Sequence, residues 1–255
     1  MLLCVNVGNS NVVIGLADGH DWLAHWRVRT IRNQMPDEYA MLLKSLLRDG
    51  GHDLSAVDRI VLASVVPPLT TVFSEVLANH VNARVLMVSP EIRTGLQIRI
   101  DNPRELGADL LANAVAAYQR YRGACIVVDF GTATTFSAVS AKGDFEGVAI
   151  AVGLGVAAEA LTSATSQLPR VSLSAPAHAI GKNTVQSMQS GLVLGHIGLV
   201  EGVLRRMKSE LGGEAQVIAT GGHSRVLAPL SPEINDLDPW LTLDGLRLLH
   251  LLNPV

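Results

Sequence analysis

One stretch of this chain occurs twice. Leu3-Cys4-Val5-Asn6-Val7-Gly8-Asn9-Ser10-Asn11 aligns with Ile126-Val127-Val128-Asp129-Phe130-Gly131-Thr132-Ala133-Thr134 at a shift of 123 residues, slightly less than half of the 255. Each copy reads as a buried strand, a polar residue, then a glycine turn carrying hydroxyl or amide side chains. Each continues into β-like sequence, Val12–Leu16 and Thr135–Ser140, and reaches a turn at Asp18-Gly19 or Lys142-Gly143 before a further strand. Later in each half an apolar run ends in small or turn-forming residues, Arg59–Pro68 and Gln216–Gly222, as expected of parallel strands covered on both faces. Helical spacing of Leu, Val and Ala recurs over Asp37–Asp49, Gly107–Tyr121, Val185–Leu211 and Thr242–Leu252. The pattern predicts two similar α/β halves with a cleft between them, or, as the alternative, one doubly wound sheet.

Composition narrows the functional classes. With 48% hydrophobic and 17% charged residues the chain excludes disorder and fills one large α/β domain or two small ones. Twenty basic residues against 23 acidic ones leave a net charge of -3, so there is no electrostatic footprint for nucleic acid or an anionic membrane. Cys4 and Cys125 both sit in apolar strand-like runs and read as core thiols of a reducing compartment. The opening residues lack a basic leader, and the apolar stretch Gly147–Leu161 is too short to span a bilayer. The expectation is a soluble cytoplasmic protein.

The duplicated turn carries chemistry. Glycine lets backbone N–H groups approach an anion, and neighbouring Asn, Ser or Thr adds hydrogen bonds to its oxygens. A single Gly-Asn-Ser-Asn is most often a plain hairpin turn; two such turns facing one cleft suit the successive phosphates of a nucleotide. No Gly-x-x-x-x-Gly-Lys-Ser/Thr loop is present. Gly153-Leu154-Gly155 fits the dinucleotide fingerprint only when forced, and Ala219-Thr220-Gly221-Gly222 reads either as a surface passing under adenine or ribose or as an ordinary strand-to-helix turn. The eight histidines show no metal-binding spacing, and His223 reads either as a border of the adenosine or as a surface residue.

More specific stretches now join the repeat: Asp101-Asn102-Pro103-Arg104-Glu105-Leu106-Gly107-Ala108-Asp109, Val128 to Phe136, Ile180-Gly181-Lys182-Asn183-Thr184 followed by Gln189-Ser190-Gly191, Ser64 to Leu69, and Thr94-Gly95-Leu96. Together they resemble the type III pantothenate kinases over nearly the whole chain. The resemblance implies two ribonuclease-H-like, actin-like ATPase domains related by internal duplication, expected over 1–116 and 117–255. It implies transfer of the γ-phosphoryl group of ATP to the primary hydroxyl of pantothenate, the first step of coenzyme A synthesis. It implies Mg²⁺ or Mn²⁺, a monovalent K⁺ or NH₄⁺, and a homodimer whose interface completes the pantothenate site.

Residue by residue, the resemblance places Asn6, Val7, Gly8, Asn9, Ser10, Asn11, Val12 and Val13 in an ATP-phosphate loop, and Thr132 against ATP. Gly221 and Gly222 extend the nucleotide surface, and Asp129 binds the monovalent cation. Ile100, Gly107, Ala108, Asp109, Leu110 and Thr184 lie against pantothenate, with Asp109 as proton acceptor. Read alone, Asp109 is equally a helix N-terminal carboxylate favoured by the macrodipole.

The chain departs from the family pattern in three places. Asn6 stands where the family carries an aspartate that acts on Mg²⁺, Leu110 replaces an arginine, and Val148 replaces a glycine. Losing one preorganised electrostatic element commonly costs about 10² to 10³ in rate. The expectation is therefore an active kinase with reduced turnover; the alternative is a weak or inactive relative serving as a nucleotide-binding or regulatory protein.

Overall fold

The computed structural model describes residues 1–254. The first elements are β1 (Leu2–Val7), β2 (Asn11–Asp18), β3 (Asp21–Arg29), α1 (Pro36–Asp49), β4 (Arg59–Ser64), α2 (Pro67–His80), β5 (Val85–Met87), β6 (Gln97–Ile98) and α3 (Ala108–Tyr121). There follow β7 (Cys125–Phe130), β8 (Ala133–Val139), β9 (Asp144–Val152), α4 (Leu154–Ser163), α5 (Thr184–Gln189), α6 (Gly195–Glu210), β10 (Gln216–Thr220), α7 (Ser224–Leu227), β11 (Asp236–Leu237) and α8 (Leu241–Leu252).

Two sheets form, so the single doubly wound sheet is excluded. The first has strand order β3-β2-β1-β4-β5 and the second β11-β10-β7-β8-β9-β6. Read from the other end, and without its edge strand β6, the second order repeats the first. In each, an antiparallel three-strand meander is extended by parallel strands that need helical crossovers. The shift of 123 carries Leu2–Val7 onto Cys125–Phe130 and Asp21–Arg29 onto Asp144–Val152, so β1 and β3 recur residue for residue as β7 and β9. The second turn is one residue tighter: Val7 pairs with Val12, whereas Phe130 pairs with Thr134.

The chain divides into two compact units that are not contiguous in sequence. The first comprises Met1–Gly95, Asp101–Ala116 and the residues from Thr242 onward; the second comprises Leu96–Ile100 and Ala117–Leu241. Contiguous halves 1–116 and 117–255 therefore differ from the observed grouping at two segments. α8 belongs with the first unit because its Asp244 accepts from Trp22 Nε1 at 2.8 Å, Arg247 donates to the His20 carbonyl, and Gly245 packs on the backbone of Ala112 with no room for a Cβ. β6 belongs with the second unit because it adds to the edge of β9 at Gln97–Asp144 and Ile98–Phe145.

Each unit has its own core. β1 is buried along its whole length, and Leu3, Val5 and Val7 pack with Tyr39, Leu43, Ile60 and Phe73. In the second unit Ile126, Val128, Phe130 and Phe136 pack with Leu154, Val193, Val200 and Val217. Cys4 and Cys125 are free thiols inside β1 and β7, and burial pushes the Cys125 thiol up to about 12, which leaves it protonated at neutral pH.

Two helices were hidden in apolar sequence. The strand expected through Pro68 stops at Ser64, because Pro67 and Pro68 occupy the first helical positions of α2, where a missing N–H costs nothing. Gly147–Leu161 is split between the end of β9 and α4. The single helix expected over Val185–Leu211 is α5 and α6 joined through a π-helical turn, Ser190–Leu194. No helix among the described residues is long and apolar enough to cross a membrane.

Candidate active site

In the first unit the turn between β1 and β2 lies beside the carboxyl end of β4. Gly8 N–H donates to the Asn11 carbonyl at 3.0 Å, closing the turn, and Asn9, Ser10 and Asn11 are exposed. Thr30, just past β3, supports the turn from behind: its hydroxyl donates to the Gly8 carbonyl at 2.7 Å and its N–H to the Ser10 carbonyl at 3.0 Å. Val7 and Val12 are core residues with no exposed side chain, so within positions 6–13 these two, like Gly8, have only backbone to offer a ligand.

Asn6 ends the buried face of β1. It is 8% exposed, and its Oδ1 is buried with no hydrogen-bond partner in the protein. A buried acceptor left open costs about 1–3 kcal/mol, and this one lies next to the turn between β1 and β2. Such an atom suits a donor brought by the ligand, including water held by a cation.

Asp109 belongs to the same unit and the same end of the sheet. Val65 N–H donates to the Val7 carbonyl at 3.0 Å, and a Cβ at Gly107 would lie 3.6 Å from Val65 Cγ1 and 2.8 Å from Asp109 Oδ1. Val65 thus joins the turn to the start of α3, and Gly107 lacks a side chain because the Asp109 carboxylate occupies that space. Asp109 Oδ1 accepts from Leu110 N–H at 2.8 Å. Burial raises the Asp109 carboxyl above its ordinary value, only partly offset by the backbone N–H of Leu110. A desolvated carboxylate with raised basicity at a helix N-terminus is the chemistry of a proton acceptor.

The second unit repeats the arrangement with a tighter turn. Gly131 N–H donates to the Ala133 carbonyl at 3.0 Å, and the backbone carbonyls of Gly131 and Thr132 lie so close to Gly153 that a Cβ there would collide with both. Gly153 is position 30 shifted by 123, so Thr30 and Gly153 play the same supporting part in the two halves. Gly221 has φ +93 and faces Asp129 Oδ1 and the backbone of Phe130 with no room for a Cβ. His223 N–H donates to the Phe130 carbonyl at 3.1 Å. Asp129, Thr132, Gly221 and Gly222 are therefore gathered at one end of β7 and β10.

Two further polar side chains lie here. His196 Nε2 lies 2.9 Å from the Thr134 hydroxyl, both buried, on the strand that leaves the second turn. Thr135, the cross-strand partner of Asp129, buries an Oγ1 with no hydrogen-bond partner in the protein. Partners in register place their side chains on one face, so Asp129 and Thr135 offer a carboxylate and an open hydroxyl to a hard cation, which takes oxygen ligands. No cluster of three His, Cys, Asp or Glu side chains able to hold a metal exists among the described residues.

The remaining expected substrate residues are placed individually. Ala108 is buried and Leu110 half-buried in the first turn of α3. Ile100 is half-buried just after β6. Thr184 begins α5, capped by Asn183 Oδ1 accepting from Gln186 N–H at 2.9 Å. It lines a pocket of about 380 Å³ with Leu161, Leu168, Ser187, Met188, Gly191 and Leu192. Val148 is half-buried in β9 opposite Ser137, a strand position that suits a β-branched side chain.

Residues 2–206 match the family described as type III pantothenate kinase. Curated relatives of that name include one from Moorella thermoacetica, 48% identical over 253 residues and covering 99% of this chain and 100% of the relative. Another, from Anaeromyxobacter sp. (strain Fw109-5), is 47% identical with the same coverage. A third, from Dehalococcoides mccartyi (strain CBDB1), is 46% identical over 100% of this chain and 97% of its own. Among solved structures, a protein from Campylobacter jejuni described as a Baf family transcriptional activator aligns with TM-score 0.63 at 18% identity, covering 99% of this chain and 98% of its own. The ethanolamine utilization protein EutJ from Carboxydothermus hydrogenoformans aligns with TM-score 0.57 at 14% identity over 97% and 89% of the two chains. An N-acetylglucosamine kinase, as it is described, from Porphyromonas gingivalis aligns with TM-score 0.52 at 14% identity over the full length of both chains. At these identities the structural likeness concerns the fold.

Proposed function

Because the chain belongs to the type III pantothenate kinase family, and so phosphorylates pantothenate at the expense of ATP for coenzyme A synthesis, we propose that Asp109 is the proton acceptor and that the two glycine turns take the phosphates. The observation that carries this assignment is the Asp109 carboxylate, desolvated and tied through Gly107 and Val65 to the end of β1. Phosphoryl transfer spreads charge over the phosphate oxygens, so positioning and electrostatics dominate the rate. Asp109 orients the primary hydroxyl and accepts its proton as the oxygen attacks the γ-phosphorus, a role worth about 10²- to 10⁴-fold. The N–H groups of the Gly8–Asn11 turn and of the Gly131–Ala133 turn, with Thr132, hold the phosphates; Gly221 and Gly222 let the chain pass close to the nucleoside.

A divalent cation, Mg²⁺ or Mn²⁺, would neutralise the phosphate charge, and the open Oδ1 of Asn6 fits the water shell of such an ion. Asn6 keeps the oxygen without a charge, which supports weaker divalent binding and slower turnover than a carboxylate would give. Asp129 and Thr135 fit a monovalent cation, K⁺ or NH₄⁺. Ile100, Ala108, Leu110 and Thr184 would contact pantothenate, in a homodimer acting in the cytoplasm. The exposed apolar side chains Ile150, Val152, Val156 and Ile180 of the second unit support a partner subunit there.

A coupled ADP-release assay tests the assignment. ADP release should require pantothenate, a divalent ion and K⁺ or NH₄⁺, and should fall to background in Asp109→Ala. Release without pantothenate, or at the wild-type rate in Asp109→Ala, contradicts it.

A further inference from the structure

The first phosphate turn has no cation within its own residues 6–13, although a nucleotide triphosphate brings several negative charges. We propose that Arg32 supplies it, as a phosphate-contacting residue held over the turn by Asn9. The inference rests on the reading of this turn as a phosphate site.

Arg32 is exposed, but the chain that carries it is fixed at successive residues. Thr30 is bonded to the turn at both Gly8 and Ser10. Ile31 is clamped by the Tyr39 hydroxyl, which accepts from Ile31 N–H and donates to the Ile31 carbonyl, each at 3.1 Å. Tyr39 is fully buried and packs against Phe73 with the ring centroids 4.6 Å apart and the planes tilted by 48°. Gln34 N–H then donates to the Ile31 carbonyl at 3.2 Å, so Arg32 rides on a closed turn. From there its Nη2 donates to Asn9 Oδ1 at 3.0 Å. That bond uses one of five guanidinium N–H donors, and a guanidinium fork matches phosphate oxygens well.

The duplication supplies an independent argument. Arg32 shifted by 123 is Gly155, two residues beyond Gly153. In the second half the same exit from the third strand becomes α4, whose N-cap Gly153 lies against the carbonyls of the second turn and has no side-chain cap, with no acidic residue in the first turn. A helix N-terminus carries partial positive charge toward its neighbour. In the first half no helix starts there; the next one begins at Pro36. The guanidinium of Arg32 occupies the corresponding step of the chain and provides the positive charge that α4 provides in the other copy.

Calorimetric titration with ATP and with adenosine, on wild type, Arg32→Ala, Arg32→Lys and Asn9→Ala, tests this. Arg32→Ala should weaken ATP binding about 10- to 100-fold, as expected for losing a charge-assisted contact, and raise the KM for ATP by a similar factor. Adenosine binding, the KM for pantothenate and the thermal unfolding midpoint should stay at wild-type values. Arg32→Lys should recover part of the loss, and Asn9→Ala should show a smaller loss of the same kind. Arg32→Ala binding ATP within twofold of wild type overturns the role of Arg32 and leaves the kinase reading standing. Wild-type protein that binds no ATP overturns both.

Discussion

At the residue scale the first unit holds a carboxylate made more basic by burial, Asp109, and each unit buries one oxygen left open, Asn6 Oδ1 in the first and Thr135 Oγ1 in the second. Because the folded Asp109 carboxyl is raised above its unfolded value, its contribution favours the fold below about pH 4 and is lost as pH rises through the folded value. Asp109→Asn should therefore raise the thermal midpoint at pH 7.5 and leave it unchanged near pH 3, as scanning calorimetry at both values would show. Asn6→Asp should act in the opposite sense. Without ligand, a buried carboxylate lacking a partner should lower the midpoint by about 2–8 °C, the equivalent of roughly 1–2 kcal/mol at this length. With Mg²⁺-ATP the same variant should regain stability and turn over up to about 10²-fold faster. Asn6 and Asp109 were both legible in the sequence. The parts of Val65 and Thr30 were not, because what they contribute is a backbone contact and a support from behind, neither of which has a residue-type signature.

At the scale of elements the duplication explains most of what could be read in advance. β1 and β7, and β3 and β9, coincide at the shift of 123, since a strand buried on both faces and a following meander each write a pattern into their residues. α2 and α4 gave no such signal: one begins on Pro67-Pro68 after a strand, and the other continues an apolar run with little polar face to mark it. The turns also depend on glycines whose absent side chains are filled by backbone. Gly153→Ala would press on the Thr132 and Gly131 carbonyls, and Gly221→Ala adds an unfavourable positive φ. Each should cost about 1–3 kcal/mol and weaken ATP binding, as urea unfolding and calorimetry would report. Gly212→Ala, at φ +98 with open space around its Cβ, should lose some stability through backbone strain and keep wild-type ATP affinity.

At the scale of the whole molecule, charge and oligomeric state are the testable properties. Burial lowers the pKa of His196, His223 and His250, and the neighbouring His223 lowers His196 further. A depressed folded value means the unfolded chain binds protons first, so this part of the stability is present above about pH 6.5 and is lost as pH falls through the folded values. The urea midpoint should therefore decline from pH 7.5 to pH 5, and His196→Gln should flatten the decline. For the proposed homodimer, sedimentation should give twice the chain mass of 27.1 kDa, and Ile150→Asp should shift the protein toward monomer with loss of activity.

Asp109 carries the chemistry proposed for this chain. Single-turnover phosphoryl transfer to pantothenate, measured beside ATP binding by calorimetry in wild type and Asp109→Asn, tests it most directly. The prediction is unchanged ATP affinity with a transfer rate lower by about 10²- to 10⁴-fold. A variant that transfers phosphate at the wild-type rate would contradict it.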